Sequence, residues 1–247
     1  MGLEKIIRRL ARRTGIDIKR YRATDTEHGR VVAMLATHKI TTVLDVGANI
    51  GQYALALREA GYWGDIVSFE PLPAAHQKLA AAALKDPAWQ VAPRMALGSR
   101  KSTATLNIAG NSVSSSLRPM LAAHAEAAIS SAYVGHLNVA VERLDAVVGN
   151  YIHDSAKIFL KIDTQGFEDE VLDGATALLP RIAGIQLELS LVPLYDGQRL
   201  YEALLERMRA LGYELWGLSP GFFDARTGRL LQFDGVFFRT PSATPTR

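Results

Sequence analysis

The 247-residue chain contains no cysteine, which excludes disulfide staples and thiolate metal sites. It also lacks any apolar run near the roughly 18 to 20 residues that cross a bilayer, and no apolar segment follows its N-terminal charges. Neither a membrane-spanning helix nor a secretory signal is therefore predicted, and a cytoplasmic location is the expectation. The composition is not that of a disordered chain either, since hydrophobic residues make up 48% and charged residues 21%. A pyrophosphate-gripping G-x-G-x-x-G turn is missing as well, which argues against a dinucleotide site.

Net charge is small, +3 overall, but unevenly placed. Residues 1–22 hold eight basic side chains (Lys5, Arg8, Arg9, Arg12, Arg13, Lys19, Arg20, Arg22) against Glu4 and Asp17, a net of +6 that leaves −3 for the rest. Leu3, Ile6, Ile7 and Leu10 recur at helical spacing, so the segment reads as a basic amphipathic helix. Two roles are open to it: packing on the domain with its basic face in solvent, or docking on an anionic surface such as lipid headgroups.

Beyond this extension, at 1–30, the sequence reads as one domain over 31–240 and a flexible tail at 241–247. Short β-branched runs alternate with Ala/Leu-rich stretches, the pattern of βα units around a parallel sheet. Strands are expected at Thr42–Val46, Asp65–Glu70, Trp89–Ala92, Ile158–Ile162, Gly184–Leu189, Tyr213–Leu218 and Gly235–Arg239, the last two as a hairpin. Helices are expected near 51–60, 74–84, 121–129, 168–179 and 199–211. This is a Rossmann-like, doubly wound fold with a mostly parallel seven-stranded sheet. Residues 107–118, rich in Asn, Gly and Ser, read as a mobile loop, and Leu137–Val141 as an inserted strand.

The strongest signal is Asp45-Val46-Gly47-Ala48-Asn49-Ile50-Gly51-Gln52-Tyr53 at the end of the first strand. Gly47 permits a tight turn and close ligand approach, and Gly51 lets the next helix pack on the strand. Glu70 ends the second strand, 19 positions after Gly51, where a carboxylate accepts hydrogen bonds from ribose hydroxyls. G-x-x-x-G preceded by an acid suits a ligand with a sulfonium and an amino-acid moiety better than one with phosphates. A glycine-containing β–α turn of another α/β protein remains the alternative.

The segments LDVGANIGQY, FEP, ALGS, ERLDAVV, LKIDTQGFEDEVLDGA, LELS and FDGVFFR, in that order over about 41–239, resemble the FkbM family of methyltransferases. The resemblance implies S-adenosylmethionine as cofactor and O-methylation of sugars or polyketide-type metabolites. It places Asp45, Gly47, Ala48, Asn49, Gly51 and Tyr53 in the cofactor loop and Glu70 on the ribose. It sets Ala96 and Leu97 against the adenine and Asp163 near the methionine end or the reacting centre. Residues 107–140 match least and are where acceptor identity is expected to reside.

Methyl transfer to an alcohol is helped by a general base or by a divalent metal that acidifies the hydroxyl. Lys161 and Asp163 share one face at the end of a strand, and Glu188 ends the next. Asp163 and Glu188 are candidates for an acid–base pair or, if the enzyme is magnesium-dependent, for Mg²⁺ ligands; Lys161 is a catalytic candidate or simply the ion partner of Asp163. The bland alternatives are cofactor contact or helix capping for Asp163 and an ordinary ion pair for Glu188. Asn111, Ser114, Ser115, Ser116, His124 and His136 are candidate acceptor contacts, against a solvated loop and surface histidines. Trp216, Phe222 and Phe223 could stack on a sugar or simply pack. The expected partner is a small-molecule or lipid-linked sugar, with peripheral membrane contact through residues 1–22. An RNA acceptor is disfavoured by weak bulk charge and the lack of interleaved basic and aromatic residues. A nucleotide-binding module without transfer activity is the third reading, and oligomeric state is left open.

Overall fold

The computed structural model describes residues 3–16 and 23–240; Lys19, Arg20, Arg22 and the expected tail at 241–247 lie outside them. In chain order the helices are α1 (Leu3–Arg13), α2 (Glu27–Thr37), α3 (Gln52–Glu59), α4 (Pro73–Ala83), α5 (Ala122–Ala127), α6 (Leu144–Val147), α7 (Glu168–Asp173) and α8 (Tyr201–Ala210). The strands are β1 (Thr42–Val46), β2 (Asp65–Phe69), β3 (Trp89–Val91), β4 (Ala96–Leu97), β5 (Ser102–Ala109), β6 (Tyr133–Glu142), β7 (Ile158–Ile162) and β8 (Ile182–Ser190). They are followed by β9 (Tyr213–Pro220), β10 (Phe223–Asp224), β11 (Arg229–Leu230) and β12 (Gln232–Arg239).

The main sheet has the order β3-β2-β1-β7-β8-β12-β9, parallel from β3 through β8, with β12 antiparallel to both β8 and β9. The doubly wound, mostly parallel seven-stranded architecture is thus present, with its antiparallel C-terminal pair. β1 and β7 are buried at every position because helices cover both faces of a parallel sheet. Alternate residues feed two cores. Leu44, Val46, Leu160 and Ile162 pack in one, and Val43, Ile66, Phe159 and Phe238 pack in the other with Val31 and Leu35 of α2 and Leu57 of α3.

The boundary expected at residue 30 falls inside α2. This helix is capped by Thr26, whose hydroxyl accepts from Gly29 N at 3.0 Å, and belongs to the second core. In α1 the stripe formed by Ile6, Ile7 and Leu10 is 45%, 45% and 58% exposed, so the helix does not bury its apolar face on the domain.

Three expectations change. Residues 96–142 form a three-stranded sheet, β4-β6-β5, so the inserted strand is longer than the pattern suggested and has a partner on each side. The loop expected at 107–118 starts inside β5 and is tied down. Asn107 and Ser116 exchange backbone bonds, Ser115 Oγ accepts from Ala109 N, and Asn111 Oδ1 accepts from Ser114 N. Asn and Ser here close their own turns. The helix expected over 168–179 stops at Asp173, because Gly174 lies against the Gly98 backbone, where a Cβ would come within 2.0 Å of the carbonyl oxygen.

Candidate active site

Sheet register assembles the site. Next to one another across the β2, β1, β7 and β8 strands lie Ser68, Asp45, Lys161 and Gln186, all on the face covered by α2 and α3. Two residues further toward the carboxyl edge the same face continues with Glu70, Gly47, Asp163 and Glu188, and Asp234 of β12 pairs with Glu188. A cavity of about 460 Å³ opens above this second row. Open α/β sheets bind ligands at this edge.

At its β1 end, the turn into α3 is forced by two glycines. Gly47 has φ +79°, and a Cβ there would sit 1.9 Å from the Asp163 carbonyl oxygen. Gly51 has φ +93° and abuts the Trp89 ring and Leu79, so its role is packing rather than ligand contact. Asn49, at φ +48°, donates its side-chain amide to Ser112 Oγ at 3.3 Å, joining the turn to the β5–α5 loop. The Glu70 carboxylate accepts from Asn49 N at 2.8 Å and Leu72 N at 2.7 Å. Burial nevertheless pushes its pKa up to about 7, the two backbone donors pulling against it.

Of the residues expected to bind cofactor, Gly47, Ala48, Asn49, Tyr53, Glu70, Ala96, Leu97 and Asp163 line the cavity. Asp45 does not. It is fully buried beneath the turn, where Lys161 Nζ reaches its Oδ1 at 3.1 Å. The same ammonium lies 3.4 Å from Asp163 Oδ2, 3.4 Å from Gly47 O and 5.2 Å from the Tyr53 ring centre. Burial works against the charge of Lys161, but the carboxylates of Asp45 and Asp163 outweigh it and hold the ammonium's pKa above its ordinary value. Lys161 is thus an internal cation locking β1 to β7.

Gln165, at φ +56°, escaped the sequence reading. Its amide nitrogen donates to Asp163 Oδ1 at 2.9 Å and to Glu188 Oε2 at 2.8 Å, while its oxygen accepts from the Tyr195 hydroxyl at 2.6 Å. A donor therefore sits between the two carboxylates, where a cation shared by them would have to lie. Among the described residues no group of three His, Asp or Glu is arranged to hold a metal ion. The Mg²⁺ expectation for Asp163 and Glu188 does not fit this donor set. Glu188 stands behind Gln165, outside the cavity lining, and burial followed by the charges of Asp163, Glu168 and Asp234 pushes its carboxyl well above the usual range.

The expected acceptor residues divide. Ser115 and Ser116 line the cavity, Ser116 Oγ donating to Gln165 O at 2.6 Å. Asn111 and Ser114 bond each other and lie outside the lining. His124 is buried between Tyr195 and Phe222, ring centres 5.1 and 4.9 Å away, and burial lowers its pKa to about 4, so it is a neutral core residue. His136 is exposed on β6, away from the cavity, because it alternates with the buried face of that strand. Trp216, Phe222 and Phe223 also lie outside the lining; Trp216 packs edge-on against His38 and Phe238. In their place the far wall is built by Glu27 and His28 of α2, Gln52 of α3, Gln186 of β8 and Asp234 of β12. Gln52 lies in the LDVGANIGQY segment and Asp234 in the FDGVFFR segment, but no motif marks Glu27, His28 or Gln186; the packing of α2 and the register of β8 and β12 bring these positions together.

The lining carries four carboxylates (Glu27, Glu70, Asp163, Asp234) against one ammonium, Lys161, which is already paired. Its apolar side is made by Leu72, Met95, Ala96, Leu97, Leu106 and Phe167. Such a cavity accommodates a flat apolar ring system, a diol at Glu70 and a positive centre near Asp163, and offers no cationic cradle for a pyrophosphate.

Among solved structures, TehB from Haemophilus influenzae is 12% identical, with a TM-score of 0.47 over 87% of this chain and 64% of that one. The 1,6-didemethyltoxoflavin-N1-methyltransferase of Burkholderia thailandensis, determined with 1,6-didemethyltoxoflavin and S-adenosylhomocysteine, is 14% identical, with a TM-score of 0.42 over 88% and 80%. The mitomycin 7-O-methyltransferase MmcR is 12% identical, with a TM-score of 0.46 over 88% and 54%. The chain thus spans less than two thirds of TehB and of MmcR. No curated protein matches the sequence. The methyltransferase FkbM domain, by contrast, matches residues 45–215, more than half of the chain and the whole stretch from the β1 turn through the Asp163 and Glu188 strands. The chain belongs to the FkbM methyltransferase family.

Proposed function

We propose that this protein transfers a methyl group from S-adenosylmethionine to a hydroxyl of a small acceptor, a sugar of a glycolipid or glycosylated metabolite. The observation that carries the cofactor reading is the acidic cavity with Glu70 poised for a diol and Asp163 further along the same row. When bound, the cofactor supplies an electrophilic methyl on a positively charged sulfur. The S–CH₃ bond breaks as an O–CH₃ bond forms, and the acceptor's proton must leave. The protein's task is to align the acceptor oxygen, exclude water and hold a base. An excess of carboxylates around the cavity favours a neutral polyol over a phosphodiester acceptor, which weighs against RNA.

Calorimetric titration tests this directly. Micromolar binding of S-adenosylmethionine and none of NAD is expected; NAD binding alone would overturn the reading. The affinity for S-adenosylhomocysteine, which shares the ribose, is expected to rise about tenfold from pH 6 to pH 8. Only ionised Glu70 accepts both hydroxyl donors, and its pKa of about 7 sets the midpoint. Glu70→Gln should flatten that rise and weaken binding at pH 8; an unchanged profile would remove Glu70 from the ribose site.

The lipid-linked form of the acceptor accords with α1, whose exposed Ile6, Ile7 and Leu10 lie opposite an arginine-rich face. Nucleic acid would leave these apolar side chains in water, whereas an anionic bilayer takes both faces. The full chain is expected to co-sediment with vesicles containing phosphatidylglycerol and not with pure phosphatidylcholine. Leu10→Asp should abolish binding, and Arg9→Ala or Arg13→Ala should each weaken it about fivefold. Equal binding by all variants would sink the docking role.

A further inference from the structure

One carboxylate of the cavity, Asp234, stands on the C-terminal strand, across the row from Glu70. Asp163 is tied to Lys161 and to Gln165, Glu188 is tied to Gln165 and lies behind the wall, and Glu70 holds the β1 turn. Asp234 lines the cavity, and no lysine or arginine pairs with it among the described residues. Its register position opposite Glu188 places it at the end of the row farthest from Glu70, beyond Asp163. It therefore stands on the acceptor side of the expected methyl position rather than the nucleoside side.

Its surroundings are set by a hydrogen bond between two elements. The Tyr53 hydroxyl of α3 donates to Gln186 Oε1 at 2.8 Å, which leaves the amide nitrogen of Gln186 available to stabilise the charged form of Asp234. Tyr53 and Gln186 are both buried, so this arrangement is fixed before any ligand enters.

We propose that Asp234 is a further catalytic carboxylate of this site: a sulfonium in the cavity drives it into its charged form, and in that form it takes the proton from the acceptor hydroxyl. The proposal rests on the S-adenosylmethionine reading above. The proton passes from the acceptor oxygen to Asp234 as the oxygen gains the methyl group, the sulfonium becomes a neutral thioether, and Asp234 later returns the proton to water. Burial, followed by the charges of Asp163 and Glu27, raises its pKa to about 7, with Lys161 and Gln186 pulling the other way. The charged or titratable groups around it are thus Asp163 and Lys161 of β7, Glu188 of β8, Glu27 and His28 of α2 and Tyr53 of α3. At pH 7 such a group is about half protonated, so a nearby cation releases up to about half a proton.

Calorimetry reads this without any acceptor. S-adenosylmethionine and S-adenosylhomocysteine are titrated into the full chain at pH 7 in phosphate and in Tris, and proton release follows from the buffer dependence of the heat. The two ligands share nucleoside and amino acid, so the Glu70 contribution is common, and comparison of variants cancels the ligands' own titration. The excess release with S-adenosylmethionine is expected to fall by about half a proton in Asp234→Asn, and to persist in Glu188→Gln, which lies behind the cavity wall. Gln186→Ala, which removes the amide that favours the charged carboxylate, should move the midpoint of the excess to higher pH. Unchanged S-adenosylhomocysteine binding certifies the fold; Asp234→Ser is the second variant if the Asn form is unstable. An undiminished excess in both Asp234 variants overturns the proposal, as does its loss in Glu188→Gln instead. Absence of binding by either ligand to the unmodified protein would overturn the cofactor reading itself.

Discussion

Lys161→Met is expected to destabilise the protein by about 4 kcal/mol at pH 7, and Asp45→Asn in the same chain is expected to recover most of it. The ammonium is the partner of a carboxylate with no solvent exposure, and methionine fills its volume without its charge. Left alone in the core, Asp45 takes up a proton rather than staying charged. Holding a carboxyl of ordinary pKa 3.8 in its neutral form at pH 7 costs about 1.4 kcal/mol per pH unit, or about 4 kcal/mol. The sign of the pH dependence follows. Burial already holds the Asp45 carboxyl above its ordinary value beside Lys161, and without the ammonium it rises further, so stability relative to the unmodified protein is regained as pH falls toward 3.8 and lost as pH rises. The gap should shrink to about 1.5 kcal/mol near pH 5. Urea unfolding at pH 5 and 7 measures it. A loss under about 1 kcal/mol at pH 7, or one that does not vary with pH, would mean that Lys161 and Asp45 are not an isolated buried pair.

That pair also marks what the sequence could and could not disclose. Lys161 and Asp163 were legible as one face of a strand end because alternation is a local rule, and the strands Thr42–Val46 and Ile158–Ile162 were legible because each is β-branched and apolar but for a single charged residue. The partner of Lys161 was not, since Asp45 reads as a cofactor-loop acid until the β1–β7 register sets it beside the ammonium, underneath the turn. The same limit applies to Asp234. Its place opposite Glu188 depends on β12 inserting antiparallel between β8 and β9, a choice of strand order that no local pattern states. Glu27 and His28 sit in a helix that reads as part of the N-terminal extension, and they join the site through tertiary packing of Val31 and Leu35. Gln165 illustrates a third case. Its role depends on a left-handed backbone that turns its amide between two acids, and a glutamine in a loop carries no sequence signal for that.

Gly47→Ala should be the most damaging single change at the turn, and a second glycine separates its two causes. Gly61 also has positive φ, +97°, but a Cβ there meets nothing within 4 Å. Gly61→Ala therefore isolates the backbone penalty, about 1 kcal/mol for forcing an L-residue into the left-handed region. At Gly47 the added carbon would lie 1.9 Å from the Asp163 carbonyl oxygen and 2.9 Å from its carbon. Both are backbone atoms, so no rotamer change relieves the contact and β1 and β7 must separate at the carboxyl edge. That separation strains the bond from Asp163 N to Val46 O at 3.0 Å and those from Gly47 N and Ala48 N to Phe69 O at 3.1 Å. It also shifts Asp163 relative to Glu70, the two carboxylates expected at the sulfonium and the ribose. A total loss of about 3 kcal/mol is expected, with cofactor affinity falling by about 100-fold or more, since a displacement near 1 Å is enough to cost that much at a preorganised site. Thermal melts and calorimetric titration of the two variants side by side decide the matter. Equal stability losses would show that conformation alone requires glycine at position 47; an intact affinity in Gly47→Ala would show that the turn is not where the cofactor binds.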